Sequence, residues 1–208
     1  AHQVESRVLI GADDKKVNIK TLLFQTGYLT VKKEEIVDDK SRYTIDFPNY
    51  EVRSAFLEDL IGVYANKDLE EVQEINKEIG KALKEGEAKK LQESLVELYA
   101  NIPYDLHIGK EKYYHSLFLV TMTLIGYEVE GEVHTDKGRI DVVLKKENSI
   151  VIVETKYSKD NKLEEMLKEA MEQIRENKYY EKYISSNPTL LAIAFSENKD
   201  IGCRFENT

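Results

Sequence analysis

Three charged residues stand out by type and spacing: Asp141, Glu154 and Lys156. They lie in a stretch reading Gly-Arg-Ile-Asp-Val-Val-Leu, then Lys-Lys-Glu-Asn-Ser, then Ile-Val-Ile-Val-Glu-Thr-Lys-Tyr, from Gly138 to Tyr157. Two carboxylates and one ammonium brought to one spot can hold a hard divalent cation, because like charges that close repel and a cation relieves the repulsion. Oxygen ligands with an open coordination shell suit Mg²⁺ or Mn²⁺. The same three charges can also close as a salt-bridged sheet end, with Lys156 neutralising one acid.

The elements that would position them are legible around the motif. Two β-branched runs flank a short polar break, which signals a hairpin. Side chains alternate along a strand. Ile150, Ile152, Glu154 and Lys156 therefore share one face, and Val151, Val153 and Thr155 the other. A run this apolar on both faces predicts a buried central strand. With the turn at Glu147 and Asn148, an antiparallel register sets Asp141 opposite Glu154, and opposed Cβ atoms stand about 5 Å apart. Charges at such a position are costly unless they are paired or bind a metal.

Asp141, followed by Glu154-Thr155-Lys156, resembles the core motif of the PD-(D/E)XK nuclease superfamily; Ile140 stands where the proline of the family name would be. Further matching stretches are Leu22 to Thr30, Asp46 to Arg53, Ile102-Pro103-Tyr104, Tyr113-Tyr114-His115, Gly138 to Asp141 and Gln173-Ile174. Together they are similar to nuclease-like domains at the C-terminus of AAA-ATPase-like proteins. The resemblance implies an αβββαβ core, Mg²⁺ or Mn²⁺ as cofactor, a nucleic-acid substrate, DNA above all, and an ATPase domain ahead of residue 1. It implies that Asp141 and Glu154 are metal ligands, with the Thr155 carbonyl and Glu111 assisting. Lys156 would be catalytic, and Gln173 with Tyr179 or Tyr180 would lie near the substrate. His115 shares a helix face with Glu111 at i, i+4. It is either a hydrogen-bonded structural histidine or a substrate contact.

Composition bounds the alternatives. The chain has 208 residues, 41% hydrophobic and 33% charged, which describes a globular domain or two. No run is long enough to span a membrane and no signal peptide is visible. The single Cys203 rules out an internal disulfide and fits a reducing cytoplasm. The chain starts at Ala1, as a piece of a longer protein would. The net charge of −9 argues against non-specific coating of nucleic acid. Lys145, Lys146, Lys156, Lys159 and Lys162 nevertheless gather near the motif, as a basic rim or as a solvated loop. No internal repeat, Gly-rich phosphate loop or Cys/His zinc cluster is present.

In chain order, residues 1–15 read as a polar connector, and Asn18–Gln25 as one or two helical turns. Tyr28–Val31 and Arg42–Phe47 read as strands around a charged loop, a small winged-helix-like element. Periodic apolar stripes predict helices over Glu51–Tyr64, Leu69–Lys84 and Ala88–Ala100. Ile102-Pro103 marks the boundary between a helical accessory region (1–102) and an α/β nuclease-like domain (103–208). A helix over Glu111–Ile125, a strand over Tyr127–His134, the hairpin, a long amphipathic helix over Asn161–Tyr183 and a last strand over Thr189–Phe195 complete the reading. The competing class is non-enzymatic: a nuclease-like fold serving as a binding module for an ATPase or another partner. Endo- or exonuclease action and oligomeric state are not legible.

Overall fold

In the computed structural model, the β-branched runs beside the motif form the expected hairpin, β5 (Gly138–Lys146) and β6 (Ser149–Ser158), with Lys146 paired to Ser149 across the turn. The structure describes residues 2–5, 9, 19–37, 40–101, 110–135 and 138–208. The first turn residue, Glu147, has φ +54° and Asn148 does not share the positive φ. That sign pattern is the one of a type II′ turn, where glycine is favoured. Glu147→Gly is expected to stabilise the protein by about 0.5–1 kcal/mol, seen as a higher urea midpoint at unchanged slope. A lower midpoint would show that Glu147 makes a contact worth more than the strain.

The hairpin sits inside a five-stranded sheet of order β4-β5-β6-β7-β8, with β4 Glu128–Thr135, β7 Thr189–Ser196 and β8 Ile201–Asn207. The β6–β7 pair is parallel and the others are antiparallel. β6 is thus the central strand, and Val151, Ile152 and Val153 are at most 1% exposed. Helix α5 (Lys110–Leu124) precedes the sheet, and α6 (Leu163–Glu176) crosses over between β6 and β7. The order α5-β4-β5-β6-α6-β7 is the expected αβββαβ arrangement. β8 is an addition to it, beyond the last strand expected at Thr189–Phe195: Ile201–Asn207 mixes apolar and charged residues, and only its first half is buried.

The two faces of the sheet are covered separately. Leu167, Ala170, Met171 and Ile174 of α6 are buried with Val143, Ile152, Leu190, Ala192 and Ala194. On the other face Tyr114 of α5 stacks on Phe195 at 5.0 Å. The expected helix over Asn161–Tyr183 is corrected. It ends at Glu176, Lys178 turns left-handed at φ +49°, and Tyr179–Ser186 is a separate 3₁₀ helix. The segment Glu176 to Lys182 holds no Gly or Pro, so neither of the strongest stop signals marks the break in the sequence.

By contacts the chain divides into two units, Ala1–Asp59 and Leu60–Thr208, the division falling within α2 (Tyr50–Ala65). The boundary expected at Ile102-Pro103 lies outside the described residues. Helices α3 (Leu69–Glu85) and α4 (Ala88–Tyr99) belong to the second unit. An Asp68–Glu71 capping box opens α3, and Gly86, left-handed at φ +70°, closes it. α4 packs on β8, and the Tyr99 hydroxyl pairs with Thr121 Oγ1 of α5 at 2.9 Å.

The first unit contains α1 (Ile19–Gln25) and a three-stranded sheet, β1 (His2–Glu5), β2 (Thr30–Val37) and β3 (Lys40–Asp46), in order β1-β3-β2. Two expectations are corrected here. His2–Glu5 is a strand rather than connector, and the charged residues Lys32 to Glu35 lie within β2 rather than in a loop. β2 is exposed along most of its length, so it shows no apolar alternation to read; pairing with β3 alone defines it. No helix among the described residues is long and apolar enough to cross a membrane.

Candidate metal and catalytic site

The site forms where the ladders of β6 stop matching. Pairing with β5 runs from Lys146↔Ser149 to Val142↔Val153 and ends there, while pairing with β7 continues to Ser158↔Ser196. Beyond Val153 the β5 side of β6 therefore needs other partners for its backbone groups. Asp141 supplies one. Its Oδ2 accepts the Thr155 backbone N–H at 3.1 Å and the Thr155 hydroxyl at 3.1 Å. The carboxylate takes the place of a ladder carbonyl. Within a strand, the N–H and C=O of one residue point to the same neighbour. The Thr155 carbonyl thus faces the same opening.

Alternation along β6 sends the next side chains to opposite layers. Glu154 and Lys156 face α6. Lys156 Nζ donates to Gln173 Oε1 at 2.5 Å and to Glu154 Oε1 at 3.2 Å, and lies 4.0 Å from Glu169 Oε1. Thr155 and Tyr157 face α5. Thr155 Oγ1 lies 3.2 Å from His115 Nδ1, and Tyr157 stacks on Tyr114 at 6.2 Å. Since the Thr155 hydroxyl proton goes to Asp141, Nδ1–H of His115 is the donor in that contact. His115, Thr155 and Asp141 form one hydrogen-bonded line.

Glu154 is the anomaly of the site. It is 1% exposed, and its Oε2 has no hydrogen-bond partner among the described residues. Burial, and then the negative charge of Asp141, push its carboxyl up to about 7; Lys156, and after it the backbone N–H of Asp141, oppose the shift without cancelling it. Asp141 and Glu154 therefore interact electrostatically across the opening. Asp141 spends Oδ2 on Thr155, and its other oxygen accepts no hydrogen bond among the described residues.

Hard oxygens, one of them buried and unsatisfied, fit a divalent cation of the Mg²⁺ class. Among the described residues no three His, Cys, Asp or Glu side chains converge as a closed cage. Mg²⁺ does not require one: it keeps several waters and is commonly held by one or two carboxylates together with substrate phosphate. Glu111 lies in the first turn of α5, and its side chain falls outside the described ones.

The remaining expected residues divide. Gln173 joins the site through Lys156. Tyr179 is 2% exposed, within the core, and its hydroxyl accepts a bond from Asn177 Nδ2 at 2.9 Å. Tyr180 is half-buried against the same core. The single helix expected over Asn161–Tyr183 would have carried Gln173 together with both tyrosines, but α6 ends between Gln173 and Tyr179. Glu169 was not singled out from the sequence. Its place four residues before Gln173, on the same helix face, is the signal that would have found it.

Residues 109–205 match the family model described as the PD-(D/E)XK nuclease superfamily. A relative, "Uncharacterized protein in vnfD 5'region" of Azotobacter chroococcum mcd 1, is 26% identical over 192 residues, covering 88% of this chain. The chain spans 36% of that relative's length. The matched segment contains Asp141, Glu154, Lys156 and the strands that open around them, and it is in residues 109–205 that the chain is similar to the PD-(D/E)XK nuclease superfamily.

Proposed function

We propose that the domain is a divalent-cation-dependent nuclease that hydrolyses phosphodiester bonds in DNA, with Mg²⁺ or Mn²⁺ as cofactor, in a reducing cytoplasm. The observation that carries this reading is Glu154: a carboxylate 1% exposed, with one unpartnered oxygen, beside Asp141 and Lys156. Such a group costs stability, and a cation would satisfy it. When bound, the cation supplies polarisation of a phosphate oxygen and a lower pKa for coordinated water.

The chain's own residues do the rest. Asp141 and Glu154 hold the cation, with the Thr155 carbonyl and Glu111 as further oxygens. The Lys156 ammonium, anchored on Gln173, orients the attacking water and offsets charge growing on the phosphate. His115 keeps Thr155, and through it Asp141, in place. Tyr180, nearer the surface than Tyr179, contacts the substrate backbone. An ATPase module elsewhere in the polypeptide is proposed as partner on the resemblance alone.

A catalytically silent binding module is the second reading. Lys156 already satisfies one Glu154 oxygen at 3.2 Å, and a net charge of −9 disfavours phosphate. The test is incubation of the protein with plasmid, linear and single-stranded DNA, with Mg²⁺, with Mn²⁺ and with a chelator. Cation-dependent cleavage of any of the three supports the nuclease. Intact DNA throughout, from protein of verified fold, favours the binding module.

A further inference from the structure

Lys156 has three oxygen neighbours: Gln173 Oε1 at 2.5 Å, Glu154 Oε1 at 3.2 Å and Glu169 Oε1 at 4.0 Å. An ammonium carries three N–H donors and no acceptor. Gln173 is neutral and closest, so it tethers the ammonium to α6 without competing for its charge. Glu154 and Glu169 are rivals for that charge. They differ in setting: the Glu154 side chain is 2% exposed and the Glu169 side chain 59%. Opposite charges attract more strongly where water is excluded, so the ammonium rests nearer Glu154.

A cation on Glu154 reverses that preference. Two positive charges then meet at one carboxylate, and the ammonium needs another anion within reach of its Gln173 tether. Glu169 is the next oxygen along. It stands one helical turn from Gln173 on the same face of α6. Glu172, also on α6, pairs instead with Lys168 at 3.7 Å.

We propose that Glu169 is a positioning residue: it takes up the Lys156 ammonium when a divalent cation occupies Glu154, and so sets how readily the site accepts the cation. The inference rests on the proposed metal role of Asp141 and Glu154. It assigns Glu169 no contact with cation or substrate, and its whole effect passes through Lys156.

The experiment is a double-mutant cycle on Mn²⁺ affinity, measured by calorimetry without nucleic acid. Glu169→Gln keeps the shape and removes the charge. It is expected to weaken Mn²⁺ binding about two- to five-fold, the scale of a partly exposed ion pair. In a Lys156→Met background the same substitution is expected to change affinity little, because there is no ammonium to receive. Lys156→Gln carries the same comparison if the methionine variant does not fold. Glu172→Gln controls for loss of a nearby charge, and its effect is expected to be smaller. An equal loss in both backgrounds would make Glu169 a direct ligand and overturn the proposal, as would no loss beyond that of Glu172→Gln. Wild type that binds no Mn²⁺ overturns the metal reading and this inference with it. Binding by wild type with a failed cycle overturns this inference alone.

Discussion

In metal-free buffer at pH 8, Glu154→Gln is expected to melt higher than the wild type, and the gap is expected to close as the pH falls towards 4. The folded carboxyl is raised from 4.5 to about 7, chiefly by burial and then by Asp141. The folded state therefore holds the proton more tightly than the unfolded chain. Stability is highest below about 4.5, where both states are protonated. It falls as the pH rises towards about 7, and the cost is constant above that. A shift of this size corresponds to about 3 kcal/mol, or roughly 6–12 °C in Tm for a chain of this length. The amide removes the charge, and the Lys156 ammonium keeps Gln173 and Glu169 as partners. Adding Mg²⁺ is expected to raise the wild-type Tm and leave that of Glu154→Gln unmoved. A variant that melts lower at pH 8 would mean that the Lys156–Glu154 pair outweighs the burial of the charge.

Lys156→Met is expected to cut cleavage by about two to four orders of magnitude, the scale for losing an electrostatic or acid–base group. Cation affinity is expected to hold or improve, because an ammonium is not a ligand and competes for Glu154. The metal-free variant is expected to be less stable at pH 8 by about 1–3 kcal/mol, since Glu154 then loses its cationic partner inside the protein. Mg²⁺ is expected to restore most of that loss. Thermal melting with and without Mg²⁺, run beside the cleavage assay, separates these effects. An active Lys156→Met enzyme would remove Lys156 from the chemistry. A stable, cation-binding but inactive variant supports the assignment.

The parts of the fold that were legible are those where one pattern dominates. The Val/Ile runs of β5 and β6 made the hairpin, its turn and its register legible as far as Val142 against Val153, one pair short of the expected Asp141 against Glu154. The apolar stripes of α3, α4 and α6 placed those helices to within a residue or two at most ends. What escaped depends on long-range packing. β1 and β2 are held by pairing with β3; β1 buries Val4 and β2 is exposed along most of its length. β8 is half polar because one end lies exposed. The break at Lys178 is a left-handed residue in a segment of ordinary helix formers, and it moved Tyr179 and Tyr180 off the helix that carries Gln173.

At the site, alternation along β6 sent Glu154 and Lys156 to one layer and Thr155 to the other. It did not reveal that Asp141 would spend an oxygen on the Thr155 backbone, because that bond exists only where the β5–β6 pairing stops. Nor did it bring Glu169 to Lys156, a contact made across layers. Sequence spacing names the groups, and the splitting of the sheet decides which oxygen each has left to offer.

The central claim is that Asp141 and Glu154 together hold one divalent cation. Calorimetric titration with Mn²⁺ at pH 8 tests it without reference to any substrate. Wild type is expected to bind one ion per chain, and Asp141→Asn and Glu154→Gln, each verified as folded, are expected to abolish that binding. Wild type that binds no ion, or binding that survives intact in both variants, would contradict the account.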